Sequence, residues 1–168
     1  KQAEYRNTWL KERLETILPK IMREEGFDMW LVIAREYNED PVLLSLLPDP
    51  EFNASRRTIL VFTRKEDGSL ERLNVYKFGL GDFYKGAWDP KKEDQWQALS
   101  RIISERNPEK IGINYSETWA FGDGLSYSEY TQLTRNLPQK FRERIQSAEK
   151  LCIRWLETRI QTELSAYP

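Results

Sequence analysis

From Asp28 to Ala34 (Asp-Met-Trp-Leu-Val-Ile-Ala) the residues after the aspartate are apolar without alternation. Such a run predicts a strand buried on both faces, at the centre of a sheet covered by helices. Ahead of it Leu10, Leu14, Ile17, Leu18 and Ile21 recur at helical spacing, with Lys11, Glu12, Arg13 and Glu15 between them. That predicts an amphipathic helix over residues 4–25, ended by Gly26. Pro19 predicts a kink or restart, because proline in a helix interior costs about 3 kcal/mol. At its carboxyl end the strand opens into Arg35, Glu36, Tyr37, Asn38, Glu39 and Asp40, and in open α/β sheets ligands sit outside this end of the strands.

Further on, Asp40-Pro41 reads as a helix cap followed by proline at the first helical position, with Val42 to Leu47 as a short apolar helix stopped by Pro48 and Pro50. Arg57 to Thr63 and Leu70 to Phe78 are strand-like, and the Asp67-Gly68 turn between them predicts an antiparallel hairpin. A glycine-spaced aromatic loop, Gly79 to Trp88, follows. Asp89-Pro90 is expected to cap a helix whose Trp96, Leu99, Ile102 and Ile103 share one face, ended by Asn107-Pro108. Lys110 to Asn114 then makes a short strand, parallel to the strand before that helix across a right-handed crossover. Ser126 and Glu129 have capping-box spacing and open a helix carrying Tyr127, Tyr130, Leu133 and Leu137. Phe141 to Ile145 is expected as a further strand, and Ser147 starts a last helix that packs through Leu151, Trp155 and Leu156. Strands alternating with helices predict an α/β domain.

The chain has 168 residues, enough for one well-buried domain. Lys and Arg number 26 against 27 acidic residues, a net charge of −1 that gives no electrostatic basis for nucleic acid or an anionic membrane as partner. The longest apolar runs are too short to span a bilayer. The first residue is Lys1 rather than Met, as after removal of a signal peptide or at a cloning boundary, and the compartment stays open. One cysteine, Cys152, excludes an internal disulfide. Histidine is absent, which removes imidazole bases, Ser-His-Asp and Cys-His pairs and histidine-held zinc.

The candidate chemistry is correspondingly thin. Gly79, Gly81 and Gly86 lack dinucleotide spacing because Tyr84 stands where a small residue is needed, so this loop reads as structural. Its aromatics, Phe83, Tyr84 and Trp88, are candidates either for an interface or for the core. Asp28, Glu36, Glu39, Asp40 and Asp123 could build a magnesium site of the nuclease kind, but no fixed spacing supports it and solvated carboxylates are the simpler reading. Cys152, beside Leu151 and Trp155 on a helix, reads as a small buried side chain.

Four stretches taken together resemble one family: Glu24-Glu-Gly-Phe-Asp28-Met-Trp-Leu-Val, Glu109-Lys-Ile-Gly-Ile-Asn114, Phe121-Gly-Asp-Gly-Leu-Ser126 and Arg159-Ile-Gln-Thr-Glu163-Leu164. In order and spacing they look like the N-terminal domain of the creatinase, prolidase and aminopeptidase P group of pita-bread metallopeptidases. Ile160 and Gln161 depart from the family's linker, which reads Ser/Thr-Pro there.

The resemblance implies a three-layer, ribonuclease-H-like α/β domain over residues 1–158, with a mixed sheet and helices on both faces. Residues 159–168 would then be a linker into a catalytic domain that this chain does not contain. That domain would hold two divalent metal ions (Mn, Zn or Co) through two Asp, one His and two Glu. The chain itself is expected to have no catalytic residue and no metal ligand. Its partners would be its own C-terminal catalytic domain and, as a homodimer, a second subunit. It would gate access for X-Pro peptides, with Trp88 matching by position a tryptophan that reaches a partner's active site, and Phe83, Tyr84, Arg35 and Tyr37 as neighbours in that role. The rival expectations are a carboxylate-dependent nuclease and a free-standing interaction module.

Overall fold

The computed structural model describes residues 1–51 and 53–166. Helix α1 (Gln2–Glu25) leads through Gly26 into β1 (Met29–Ala34), and α2 (Pro41–Leu46) follows the polar run. Strands β2 (Thr58–Arg64) and β3 (Leu70–Asn74) form the expected hairpin, and β4 (Lys85–Gly86) is a short edge strand. Next come α3 (Gln95–Arg106), β5 (Ile111–Ile113), α4 (Tyr127–Asn136), α5 (Gln139–Arg142), β6 (Ile145–Ser147), α6 (Glu149–Glu157) and α7 (Gln161–Ala166).

The strand order is β4-β3-β2-β1-β5-β6. β2 runs antiparallel to both its neighbours and the remaining pairs are parallel, so the sheet is mixed. All of β1 is buried, and its side chains divide by the two-residue period of a strand. Trp30, Val32 and Ala34 enter one core with α1, α2 and α6, while Met29, Leu31 and Ile33 enter the other with α3, α4 and α5. The domain is therefore α/β in three layers with helices on both faces. The new strand β5 runs parallel to β3 as expected, yet it pairs with β1 rather than with β3.

Several local expectations are corrected. Helix α1 runs unbroken through Pro19, which is buried in its packed face; Glu15, whose carbonyl loses its partner there, is exposed. The strand expected to reach Phe78 ends at Asn74, where the chain turns and Tyr76 N donates to Asn74 O at 2.7 Å. Asp89-Pro90 does not cap α3. Asp89 closes a turn on Lys91 N, and Asp94 is the cap, in a reciprocal box with Gln97. Phe141 belongs to α5 rather than to a strand, because Pro138 O accepts from its N–H. Apart from these corrections, the segment expected as a linker carries α7, whose start is fixed by Ile160 N donating to Glu163 Oε2; Tyr167 and Pro168, also in that expected linker, lie outside the described residues.

The aromatic loop divides between the two layers. Tyr84 is 2% exposed, with its ring edge-on to Phe62 at 5.8 Å and its hydroxyl donating to Leu46 O at 2.7 Å. Gly79 permits this closure, since a Cβ there would stand 2.4 Å from Tyr84 O. Trp88 turns to the opposite layer, packing beside Tyr76 with its indole N–H donating to Glu93 O at 2.8 Å.

Candidate functional site

Because β1, β3, β4, β5 and β6 point the same way, their carboxyl ends share one edge of the sheet, which the start of β2 joins. At the heart of this edge lies Glu129. Ser126 caps α4 as expected, accepting from Glu129 N at 3.3 Å, but the Glu129 carboxylate does not complete the box. It is buried, and it takes Arg57 Nε on Oε2 at 2.6 Å, Arg57 Nη2 on Oε1 at 3.3 Å and Arg35 Nε on Oε1 at 3.2 Å. Two guanidinium groups so balance one carboxylate that cannot be solvated. Gln95 Nε2 donates to Arg57 O and Val75 O, both at 3.0 Å, and Arg57 lies over the Trp96 ring at 4.7 Å. Four elements are tied together here: the loop after β1, the start of β2, α3 and α4.

The same edge is rimmed by aromatic side chains left in water. Tyr37, Tyr76, Phe78, Tyr115, Trp119, Phe121, Tyr127 and Tyr130 are exposed, and they stand on the segments that follow β1, β3 and β5. Tyr37 is the extreme case, at 92% exposure and with φ of 68°. A bulky residue is strained in that left-handed region. Glu39 Oε1 holds it there by accepting from Tyr37 N at 3.2 Å and from Ala54 N at 3.1 Å.

Of the residues singled out from the sequence, Arg35, Tyr37 and Trp88 come to this edge. Arg35 is exposed apart from its Glu129 contact, and Trp88 is half-buried behind Tyr76. Tyr84 does not reach it: as a core residue it faces no partner, which corrects its place among the gating candidates. Phe83 is half-buried on the α1 layer, with its carbonyl accepting from Arg72 Nε at 2.8 Å. Arg57, Gln95 and Glu129 were not foreseen in this role. They come from three separate elements and share no spacing, and Glu129 was already accounted for as a cap.

The acidic residues do not converge. Asp28, at the opposite end of β1 and so ~20 Å away, accepts from Lys110 N at 2.8 Å and Glu109 N at 3.1 Å and lies 3.4 Å from Arg64 Nη2. Asp40 caps α2 through Val42 N and Leu43 N, and Asp123 accepts from Ser116 N at 3.1 Å. Gly124 seats its loop directly on Asp40, where a Cβ would come within 2.3 Å of the carboxyl group. Burial raises Asp40 above the usual carboxylate range, partly offset by its backbone hydrogen bonds. Burial likewise pushes the Cys152 thiol and the Tyr84 phenol up, so both stay protonated at neutral pH and neither supplies a nucleophile.

Among the described residues no group of three or more Cys, Asp or Glu is placed to hold a metal ion, and no helix is long and apolar enough to cross a membrane. Compared with family models, with curated proteins and with solved structures, the chain gives no match.

Proposed function

We propose that this domain is an assembly and gating module of the creatinase, prolidase and aminopeptidase P type, acting beside a metal-dependent X-Pro peptidase domain. The observation that carries this reading is the aromatic rim at the carboxyl edge, with Tyr37 held in solvent at a strained φ. Aromatic and arginine side chains are the usual anchors of protein interfaces, and leaving so many in water is costly for a lone domain. The three-layer mixed sheet and the order of the four family-like stretches support it. Arg35, Tyr37 and Trp88 would face the mouth of an active site in the neighbouring domain or in a second subunit.

The two metal ions of that active site do not fit this chain. It has no histidine, and Asp28, Asp40 and Asp123 are each already engaged by backbone N–H groups. No reaction step is therefore assigned to the domain itself.

The chain alone, supplied with manganese or zinc, should leave an X-Pro dipeptide intact; hydrolysis would overturn the reading. The reading frame past Pro168 should encode widely spaced Asp, Asp, His, Glu and Glu. In the longer protein, Tyr37→Ala should raise KM or dissociate the oligomer by about tenfold with kcat little changed. A reading frame without those ligands, or a Tyr37→Ala protein with unaltered KM and mass, contradicts it.

A further inference from the structure

We infer that the cleft between the first half of α1, the end of α2 and the start of α7 binds a small organic monocarboxylate with an apolar body. The cleft encloses about 560 Å³, a usual size for a small-molecule site. Arg13 forms part of its wall, 8% exposed and with its guanidinium over the Trp155 ring at 4.0 Å. Its Nη2 donates to Trp155 O and Thr158 O. Nε is buried with no acceptor, and Nη1, not sealed from solvent as Nε is, has none either among the described residues. Glu163 Oε2 stands 4.0 Å from Nε, beyond hydrogen-bond reach, and already accepts from Ile160 N at 3.0 Å. A buried cation with N–H groups left open is a costly arrangement, and an anionic acceptor in the cleft completes it.

Charge selects the sign and size of the ligand's polar group. Both carboxylates of the lining are engaged: Asp49 takes Arg6 at 3.4 Å with its own side chain 9% exposed, and Glu163 serves Ile160 N and faces Arg13. Asn7 exchanges two hydrogen bonds with the Asp49 backbone, and Ser45 Oγ donates to Val42 O and accepts from Trp155 Nε1. Arg159 is exposed, donates to Leu156 O and pairs with no carboxylate among the described residues. Three arginines so meet two carboxylates, and one positive charge is left over. A monoanion balances it, whereas a phosphate, at about −1.5 to −2, exceeds it.

The rest of the wall selects the body. Tyr5 and Leu44 are exposed there, and Trp9 is half-buried with its ring 6.4 Å from that of Tyr5. Apolar and aromatic walls around a few placed polar groups are the usual build of a small-molecule site, and a guanidinium holds a carboxylate through charge-assisted hydrogen bonds. Burial lowers the Arg13 pKa, with Glu163 opposing and Arg159 adding to the effect; a bound carboxylate relieves both penalties. This site involves neither Arg35, Tyr37 nor Trp88 and rests on no part of the peptidase reading.

The probe is 3-phenylpropionate, compared by isothermal titration calorimetry with the neutral 3-phenylpropanamide and with inorganic phosphate. The acid should bind, and the amide and phosphate at least about tenfold more weakly. Arg13→Gln should abolish binding. Because Arg13 also holds two backbone carbonyls, two milder variants carry the test, with circular dichroism confirming the fold of each. Arg159→Gln should weaken binding about threefold, and Glu163→Gln, which keeps an acceptor for Ile160 N but removes the competing charge, should strengthen it about threefold. Arg142→Gln, the same loss of charge in an exposed residue outside this cleft, should leave it unchanged. No binding of the acid up to about a millimolar, equal binding of acid and amide, phosphate binding as tightly as the acid, or indifference to both Arg159→Gln and Glu163→Gln overturns the proposal.

Discussion

Glu129 is 2% exposed and faces two guanidinium groups that are themselves partly in water, so its removal leaves both without their carboxylate. Glu129→Ala should cost about 1.5–3 kcal/mol in urea unfolding, whereas Arg35→Ala, whose side chain is 47% exposed, should cost less than about 1 kcal/mol. Comparable losses for the two would mean that Arg35, not Arg57, neutralises the carboxylate. Asp40 gives the opposite lesson. Its folded-state pKa is raised by burial, so the folded protein binds this proton more tightly than the unfolded chain does. The stability from this group is complete in acid and falls as pH rises through the raised value. Asp40→Asn keeps a cap and removes the charge. It should melt no lower than the parent at pH 7, with an advantage that shrinks toward pH 4, while Asp40→Ala loses about 1 kcal/mol. A parent that gains on the Asn variant with rising pH refutes the assignment.

At the level of elements, what could be read from the chain depended on whether one local signal stood alone. The apolar run of β1 and the Asp40-Pro41 start of α2 met no competitor and fold as expected. Two Asp candidates lay ahead of α3, and Asp94 prevailed because Gln97, three residues on, completes its box while nothing reciprocates for Asp89. Pro19 misleads because tertiary packing on both sides outweighs one missing hydrogen bond. The site was less legible: Arg35 and Tyr37 follow from the strand-end rule, but the Arg57, Gln95 and Glu129 cluster arises only when the sheet brings distant elements together. The aromatic loop also folds by a long-range fit that no spacing reveals. Gly79→Ala places a methyl against Tyr84 O and should lower stability by about 1–3 kcal/mol in a thermal melt; an unshifted melt would mean that the loop relaxes at no cost.

For the whole molecule, the decisive fact is that β1 and its neighbour β2 each supply both cores. Trp30 and Trp155 report on the α1 side and Trp96 on the other, yet β1 cannot leave one layer without leaving the second. Tryptophan fluorescence and far-ultraviolet circular dichroism should therefore trace one coincident unfolding transition. Two separated midpoints would show that the layers melt independently. The hairpin of β2 and β3 joins neighbours in the chain, but β1 meets β5 across a long intervening stretch, and Asp28 spans that gap by gripping Lys110, 82 residues away. Contacts of such separation form after local ones, because the loop must first be closed. Asp28 therefore acts as a late-closing clasp: Asp28→Ala should quicken unfolding in stopped-flow traces while refolding keeps its pace, so that this carboxylate governs the lifetime of the native state more than the speed of reaching it.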